Sequence, residues 1–293
     1  MSTPPARRQV GIYEKALPPV GWPALLETAK AAGFDFIEMS IDESDERLAR
    51  LDWPTETRIA IRHAIEATGV RIYSICLSAH RRFGLGSRDL EVRTKAQTIL
   101  HQAIELAVDL GVRVIQIAGY FAYYEPPDPQ ARARYVAGLR QGLDLAAQRG
   151  VMLAVENIDT ADMASADDAL ALVEELGSPW FQVYPDVGNF AVHELDVVAN
   201  LAKVASHSVG LHLKDARPGE PRRVQYGTGE VPFEAVFACL GSLPYEGPFT
   251  LEMWNDRPEQ ALAAASAAAH WIRLQMAPAD VTQASEPAGP RGE

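Results

Sequence analysis

Val151–Glu156 reads VMLAVE and runs directly into Asn157. It is a short apolar run closed by a carboxylate, with Gly150 in front and polar residues behind. That pattern is a strand buried on both faces. Glu156 then stands at the carboxyl end of a core strand, where an isolated charge is costly. Three other runs end in a comparable way: FQVYPD closes on Asp186, VGLHLKD carries His212, and FTLEMW carries Glu252. Four strand ends presenting Glu, Asp, His and Glu point to one shared cation.

The flanking sequence repeats the same unit. Strands are expected at Val10–Tyr13, Phe34–Ile41, Val70–Leu77, Val112–Ala118, Val151–Glu156, Trp180–Tyr184, Val209–Leu213 and Pro248–Met253. Helical spacing lies between them, over Trp22–Ala32, Pro54–Thr68, Asp89–Leu110, Asp128–Arg149, a capping box at Ser165–Asp168 leading to Leu176, Val192–Ala205, Pro232–Leu240 and Pro258–Met276. The strands are continuous apolar runs, which suits a parallel sheet covered on both faces. Eight such units make a single-domain (β/α)8 TIM barrel over residues 1–276, with a frayed start at 1–8 and a disordered tail at 277–293. A doubly wound open sheet is the runner-up, but no GxGxxG follows a strand and no GxxxxGK[ST] occurs.

With 293 residues, 47% of them hydrophobic, the chain can fill one large core. A net charge of −12 argues against a nucleic-acid binder or a partner of anionic membranes, both of which favour a basic stripe. Cys76 and Cys239 lie in apolar segments and read as reduced thiols. No apolar run approaches the ~20 residues of a membrane span, and the N-terminus lacks an apolar signal core, so a cytoplasmic protein is expected.

In a barrel all strand carboxyl ends open on one face, where active sites lie. Glu156, Asp186, His212 and Glu252 fall on neighbouring strands five to eight. Taken singly, a strand-end Glu is a cap or surface charge, and a lone His is a core residue. Their recurrence at the same place in successive units favours a common site. Three carboxylates and an imidazole suit one divalent ion, Mn, Zn, Co or Mg.

VENID around Glu156, YPDVGN around Asp186, HLKD around His212 and GPFTLEMW around Glu252 resemble the xylose-isomerase-like barrel superfamily. GIYEKAL at 11–17, ICLSAHRRFGLGS at 75–87 and IQIAGYFAYYE at 115–125 are similar to its L-ribulose-5-phosphate 3-epimerase family, which also acts on L-xylulose 5-phosphate in pentose and ascorbate catabolism. The resemblance implies a metal-stabilised enediolate. Glu156 and Glu252 would be both metal ligands and catalytic groups, one removing the C3 proton and the other returning it from the opposite face. Asp186 and His212 would be ligands only. The partner would be a small-molecule sugar phosphate, and the assembly a homodimer.

For substrate contacts the expectations are broader. Related free-ketose epimerases carry a His where Asn189 stands, and Asn189 can still bind a hydroxyl. Arg217 is a candidate for another hydroxyl, against a solvated loop Arg. His80, Arg81, Arg82, Lys214, Arg217 and Lys15 are candidates for the phosphate, against pairing with surface carboxylates. Tyr120, Phe121, Tyr123 and Tyr124 either wall the pocket or pack a loop. Trp254 is expected to pack beside the metal site, and Glu38 and His207 to be structural.

Competing reactions on the same centre are a 3-epimerase or isomerase of non-phosphorylated ketoses and an inosose-type dehydratase, since one fold hosts many chemistries. A DNA endonuclease of the same superfamily would need more ligating His and Asp and a basic face. A sugar sensor would show no hydrogen exchange at C3.

Overall fold

The computed structural model describes residues 8–243 and 245–276. The tail expected over 277–293, and all but the last residue of the expected frayed start, lie outside these. Eight strands form one sheet: β1 Val10–Tyr13, β2 Phe36–Ser40, β3 Arg71–Leu77, β4 Val114–Ala118, β5 Met152–Glu156, β6 Phe181–Val183, β7 Leu211–Leu213 and β8 Phe249–Leu251. Their spatial order is β6-β5-β4-β3-β2-β1-β8-β7, and every ladder is parallel. The two ends of that order meet through single parallel bridges, Val183 with Ser208 and Asp186 with His212. The sheet therefore closes into a barrel whose strand order never reverses, which removes the open doubly wound alternative.

Helices α1 Trp22–Ala31, α2 Asp45–Leu48, α3 Thr55–Thr68, α4 Leu90–Leu110, α5 Ala131–Arg149, α6 Ala166–Leu176, α7 Val187–Val192, α8 Val197–Val204, α9 Phe233–Ser242 and α10 Ala261–Met276 follow in chain order. α4 begins at an Asp89 cap and α6 at the capping box of Ser165 and Asp168. Gly111 and Gly150 end α4 and α5 at positive φ, a conformation that costs a Cβ-bearing residue more than glycine. The helix expected over Val192–Ala205 begins later, as α8 at Val197, and the short helix α7 that precedes it was not expected. Asp186 caps α7 directly after β6, and Asp196 caps α8 after a turn through Glu194 at φ 54°. The short cap-initiated helix was hidden because Pro185 and Gly188 read as a loop. Among the described residues no helix is long and apolar enough to cross a membrane.

Side-chain direction alternates along a strand, so every second residue faces the barrel axis. Low in the barrel the ring of Phe36 takes the space beside Gly11, where an added Cβ would lie 2.1 Å from it. Tyr184 bonds Thr250 Oγ1 at 2.8 Å across the axis and meets the His212 ring edge-on at 4.8 Å. Above this layer the inward positions become polar: Glu38, Gln116, Glu156, His212, Lys214 and Glu252, all buried. The change from rings to charges along the same strands is what creates the site.

Candidate metal centre and its pocket

Glu156, Asp186, His212 and Glu252 each present a ligand atom within 4.8 Å of the others. Glu156 ends β5, Asp186 follows β6, His212 is the middle of β7 and Glu252 follows β8. Asn157 stitches the first two together: its Oδ1 accepts from the Asp186 amide at 2.7 Å and its Nδ2 donates to the Asp186 carbonyl at 3.0 Å. Asp186 Oδ1 accepts the Gly188 and Asn189 amides at the start of α7. That cap leaves Oδ2 directed elsewhere.

His212 is held at both nitrogens, Nδ1 lying 2.6 Å from Glu156 Oε1 and Nε2 lying 2.7 Å from Glu38 Oε1. Lys214 Nζ stands 2.6 Å from Asp186 Oδ2, 3.0 Å from Glu252 Oε2 and 2.8 Å from Asn189 Oδ1. Burial pushes the Glu156 carboxyl up and the Asp186 carboxyl to about 8. Burial acts the same way on Glu252, but the Lys214 ammonium and the His212 ring outweigh it and hold that carboxyl at about 2. Burial likewise opposes charge on His212 and Lys214, and the surrounding carboxylates overcome it, raising both.

The residues fit a divalent ion. Asp186 Oδ2 and Glu252 Oε2 are buried and accept no hydrogen bond, although the Lys214 ammonium lies close to both. Four buried carboxylates, including Glu38, face one ammonium and one imidazole, which leaves negative charge uncompensated. Three carboxylates and a ring nitrogen are the donor set of a borderline-hard dication. The imidazole–carboxylate contact through Glu38 is the usual outer support of such a ligand. Glu38 is therefore more than the general structural residue expected of it. The signal was present, since a carboxylate stands within the apolar run of strand two.

Glu156 and Glu252 line a cavity of about 780 Å³ at the carboxyl ends of the strands, while Asp186 and His212 are fully buried. Lys15, Arg81, Asn189 and Lys214 line it. Three expected substrate contacts do not. His80 is fully buried with its ring on the Ala96 carbonyl at 3.2 Å, and burial lowers its pKa to about 4, so it is uncharged. Arg82 points outward to Asp45 Oδ1 at 2.7 Å. Arg217 lies in a tight turn of the loop after β7, its Nε 3.7 Å from Glu220. Consecutive residues of the 3-10 turn at Ser78–Arg81 diverge by roughly 120°. His80, Arg81 and Arg82 could not all face one way.

Of the aromatic run only Tyr120 lines this cavity, while Tyr124 is exposed and donates to Glu43. Trp254 lines the cavity beside the centre, its ring 6.0 Å from Lys214 Nζ. His207 bonds the Gln182 side chain away from the site. Arg47, Arg50, Asp159 and Arg222 also line the cavity and were not singled out in the sequence. Arg47 sits on the short helix α2 and Arg50 on the 3-10 turn Ala49–Asp52 that follows it, while Asp159 and Arg222 sit on irregular loops, whose course no periodicity predicts.

Comparison with known proteins supplies the lineage. Residues 26–275 match the family model of the xylose isomerase-like TIM barrel. The chain belongs to that family. Within it, this barrel is 45% identical over 277 residues to L-ribulose-5-phosphate 3-epimerase UlaE of Salmonella paratyphi C (strain RKS4594), covering 94% of this chain and 98% of the relative. The same identity and coverage hold for L-ribulose-5-phosphate 3-epimerase UlaE of Escherichia coli O157:H7 (strain EC4115 / EHEC). Among solved structures, D-allulose 3-epimerase from Methylomonas sp. superposes with a TM-score of 0.77 at 20% identity, covering 92% of this chain and 98% of that one. An L-ribulose 3-epimerase superposes at 0.74 with 23% identity, covering 92% and 94%. At these identities the structural matches speak for the fold.

Proposed function

We propose that this barrel is a metal-dependent isomerase that epimerises C3 of a pentulose 5-phosphate, L-ribulose 5-phosphate or L-xylulose 5-phosphate. The observation that carries this reading is the meeting of Glu156 and Glu252 in one buried cluster, from strands with two others between them. Inversion at carbon needs one base on each face of the substrate, and carboxylates from β5 and β8 approach from different sides. The names of the relatives at 45% identity supply the substrate class.

Glu156, Asp186, His212 and Glu252 would hold the ion. When bound, a dication of the Mn, Zn, Co or Mg class supplies positive charge for the substrate oxygens. Glu252, whose carboxyl is held ionised, takes the proton from C3, and the C3–H electron pair moves into conjugation with the C2 carbonyl. Glu156, whose carboxyl burial favours in the protonated form, then delivers its proton to the opposite face of C3, inverting it. In the reverse direction the two exchange roles. Asp186 and His212 position without moving protons. Trp254 and Tyr13, edge-to-face at 5.9 Å, shield the centre from water beside β8 and β1. From the family resemblance we also propose a cytoplasmic homodimer built from a single barrel domain over residues 1–276.

The test is incubation of metal-loaded protein with L-ribulose 5-phosphate in deuterated water. Deuterium is expected at C3 of both epimers. Glu156→Gln should stay folded and lose roughly 10²–10⁴ of turnover. Absence of label at C3 with every candidate metal would overturn the assignment.

A further inference from the structure

Four side-chain amides are buried among the described residues: Gln116, Asn157, Asn189 and Asn200. Three of them are bonded at both ends. Asn157 holds the amide and the carbonyl of Asp186. Asn189 donates to the Asn157 carbonyl at 2.8 Å and accepts from Lys214 Nζ. Asn200 accepts the Ala166 amide at 3.0 Å and donates to the Asp196 carbonyl at 2.9 Å. Gln116 differs. Its Nε2 donates to Glu156 Oε2, while its Oε1 is buried and has no hydrogen-bond partner.

Gln116 is the middle residue of β4 and is fully buried. Its ladder partners are Cys76 on β3 and Ala154 on β5, and neither donates to it. Two residues on, Ala118 pairs with Glu156. Gln116 and Ala118 share the inward face of β4, so the amide lies one layer deeper than the carboxylate and holds it from beneath. Gln116 does not line the cavity, so it acts through Glu156 and not on substrate. A buried carbonyl without a donor is costly, and Leu or Met at this position would avoid that cost. The other end of the side chain therefore accounts for its presence.

The two oxygens of Glu156 are held differently. Oε1 faces His212 Nδ1 at 2.6 Å, on the side where the ion would bind. Oε2 is the oxygen left for C3, and the Gln116 amide is the donor that holds it. The last torsion of a Glu side chain is broad, so a donor fixed on a barrel strand is what sets its angle. Glu252 is flanked instead by the Lys214 ammonium, 3.0 Å from its Oε2. We propose that Gln116 is a positioning residue for the Glu156 half of the reaction: its amide aims Glu156 Oε2 at C3, and so serves one face of the substrate and not the other. This rests on the epimerase reading for what Glu156 does, and on the half-bonded amide for which group aims it.

The test uses metal-loaded, full-length Gln116→Met, which keeps the length of the side chain and removes the donor, with Gln116→Leu as a second variant. Each protein is given L-ribulose 5-phosphate and, separately, L-xylulose 5-phosphate in deuterated water. Label entering C3 of the starting epimer is read apart from epimerisation. The epimer whose C3 proton faces Glu252 can exchange through Glu252 alone. For that epimer the ratio of label uptake to epimerisation should rise about ten-fold or more, because return through Glu156 is slowed. For the other epimer the ratio should not rise, and KM should change little for either. A general loosening of the centre would move both epimers alike, and that result, or ratios like the wild type in both variants, overturns the proposal. Crystal structures of the metal-loaded proteins give a readout that needs no turnover: the Glu156 carboxylate should rotate in the variants while Glu252 keeps its place. If the wild type puts no label at C3 and Glu156 alone rotates, the positioning stands and the reaction falls. If Glu156 keeps its orientation in both variants of an active enzyme, the positioning falls and the reaction stands.

Discussion

Glu38 Oε1 lies 2.7 Å from His212 Nε2, and so decides that Nδ1 is the ring nitrogen turned toward Glu156 and the centre. The second oxygen of Glu38 accepts the Ser74 hydroxyl at 2.6 Å, which anchors the carboxylate to the next strand. A ring held by such a contact is a better ligand, since its orientation and tautomer are settled before the ion arrives.

Glu38→Ala should therefore weaken metal binding about ten- to a hundred-fold although Glu38 is not among the four proposed ligands. Competition against a calibrated chelator measures this. An unchanged affinity in a folded variant would show that His212 needs no such support.

Asp215 organises the loop that carries Arg222. Its Oδ1 accepts the amides of Ala216 at 3.0 Å and Val231 at 3.4 Å, and its Oδ2 those of Gly227 at 2.8 Å and Gly229 at 2.9 Å. Asp215→Ala leaves these buried or half-buried donors without an acceptor. A stability loss of about 2–4 kcal/mol is expected in urea unfolding, with Asp215→Asn losing less because one oxygen remains. Equal stability of Asp215→Ala and the wild type would contradict this account of the loop.

His80 gives the fold an acid-sensitive component. Burial lowers its folded pKa from 6.5 to about 4. Between those values the unfolded chain binds a proton that the folded protein refuses. Its contribution is fully present above pH 6.5, diminishes as pH falls through the window, and levels off below about 4. The full span is on the order of 3 kcal/mol. His80→Gln cannot titrate, so the stability gap between wild type and variant should narrow on acidification from pH 6.5 to 4. A gap that stays constant with pH would mean that His80 titrates normally in the folded state.

Much of this was legible in one dimension. Runs such as VMLAVE announce buried parallel strands because a two-faced burial leaves no room for polar alternation. A carboxylate at the end of such a run is conspicuous for the same reason, and Glu156, Asp186, His212 and Glu252 were found in this way. Helix ends were marked by Gly111 and Gly150, and by the capping box at Ser165 and Asp168. The short helix after Asp186 was obscured by the turn-forming residues on either side of its cap.

Which nearby charges face the cavity was a different kind of question. His80, Arg81 and Arg82 are consecutive and chemically alike on paper, yet one is sealed in the core, one is stacked on Tyr120 and Tyr123, and one points to solvent. Arg222 and Arg217 share a loop, and only the first reaches Asp159. Periodicity carries direction along a regular strand or helix, but loop residues take their direction from whatever they meet. The sequence by itself determined the closed barrel and the four groups at its mouth, because burial on a repeating scaffold constrains both. Only the tertiary structure decided that Glu38 stands behind His212, that Lys214 stands among the carboxylates, and that Gln116 holds Glu156, because each depends on distances between segments far apart in the chain.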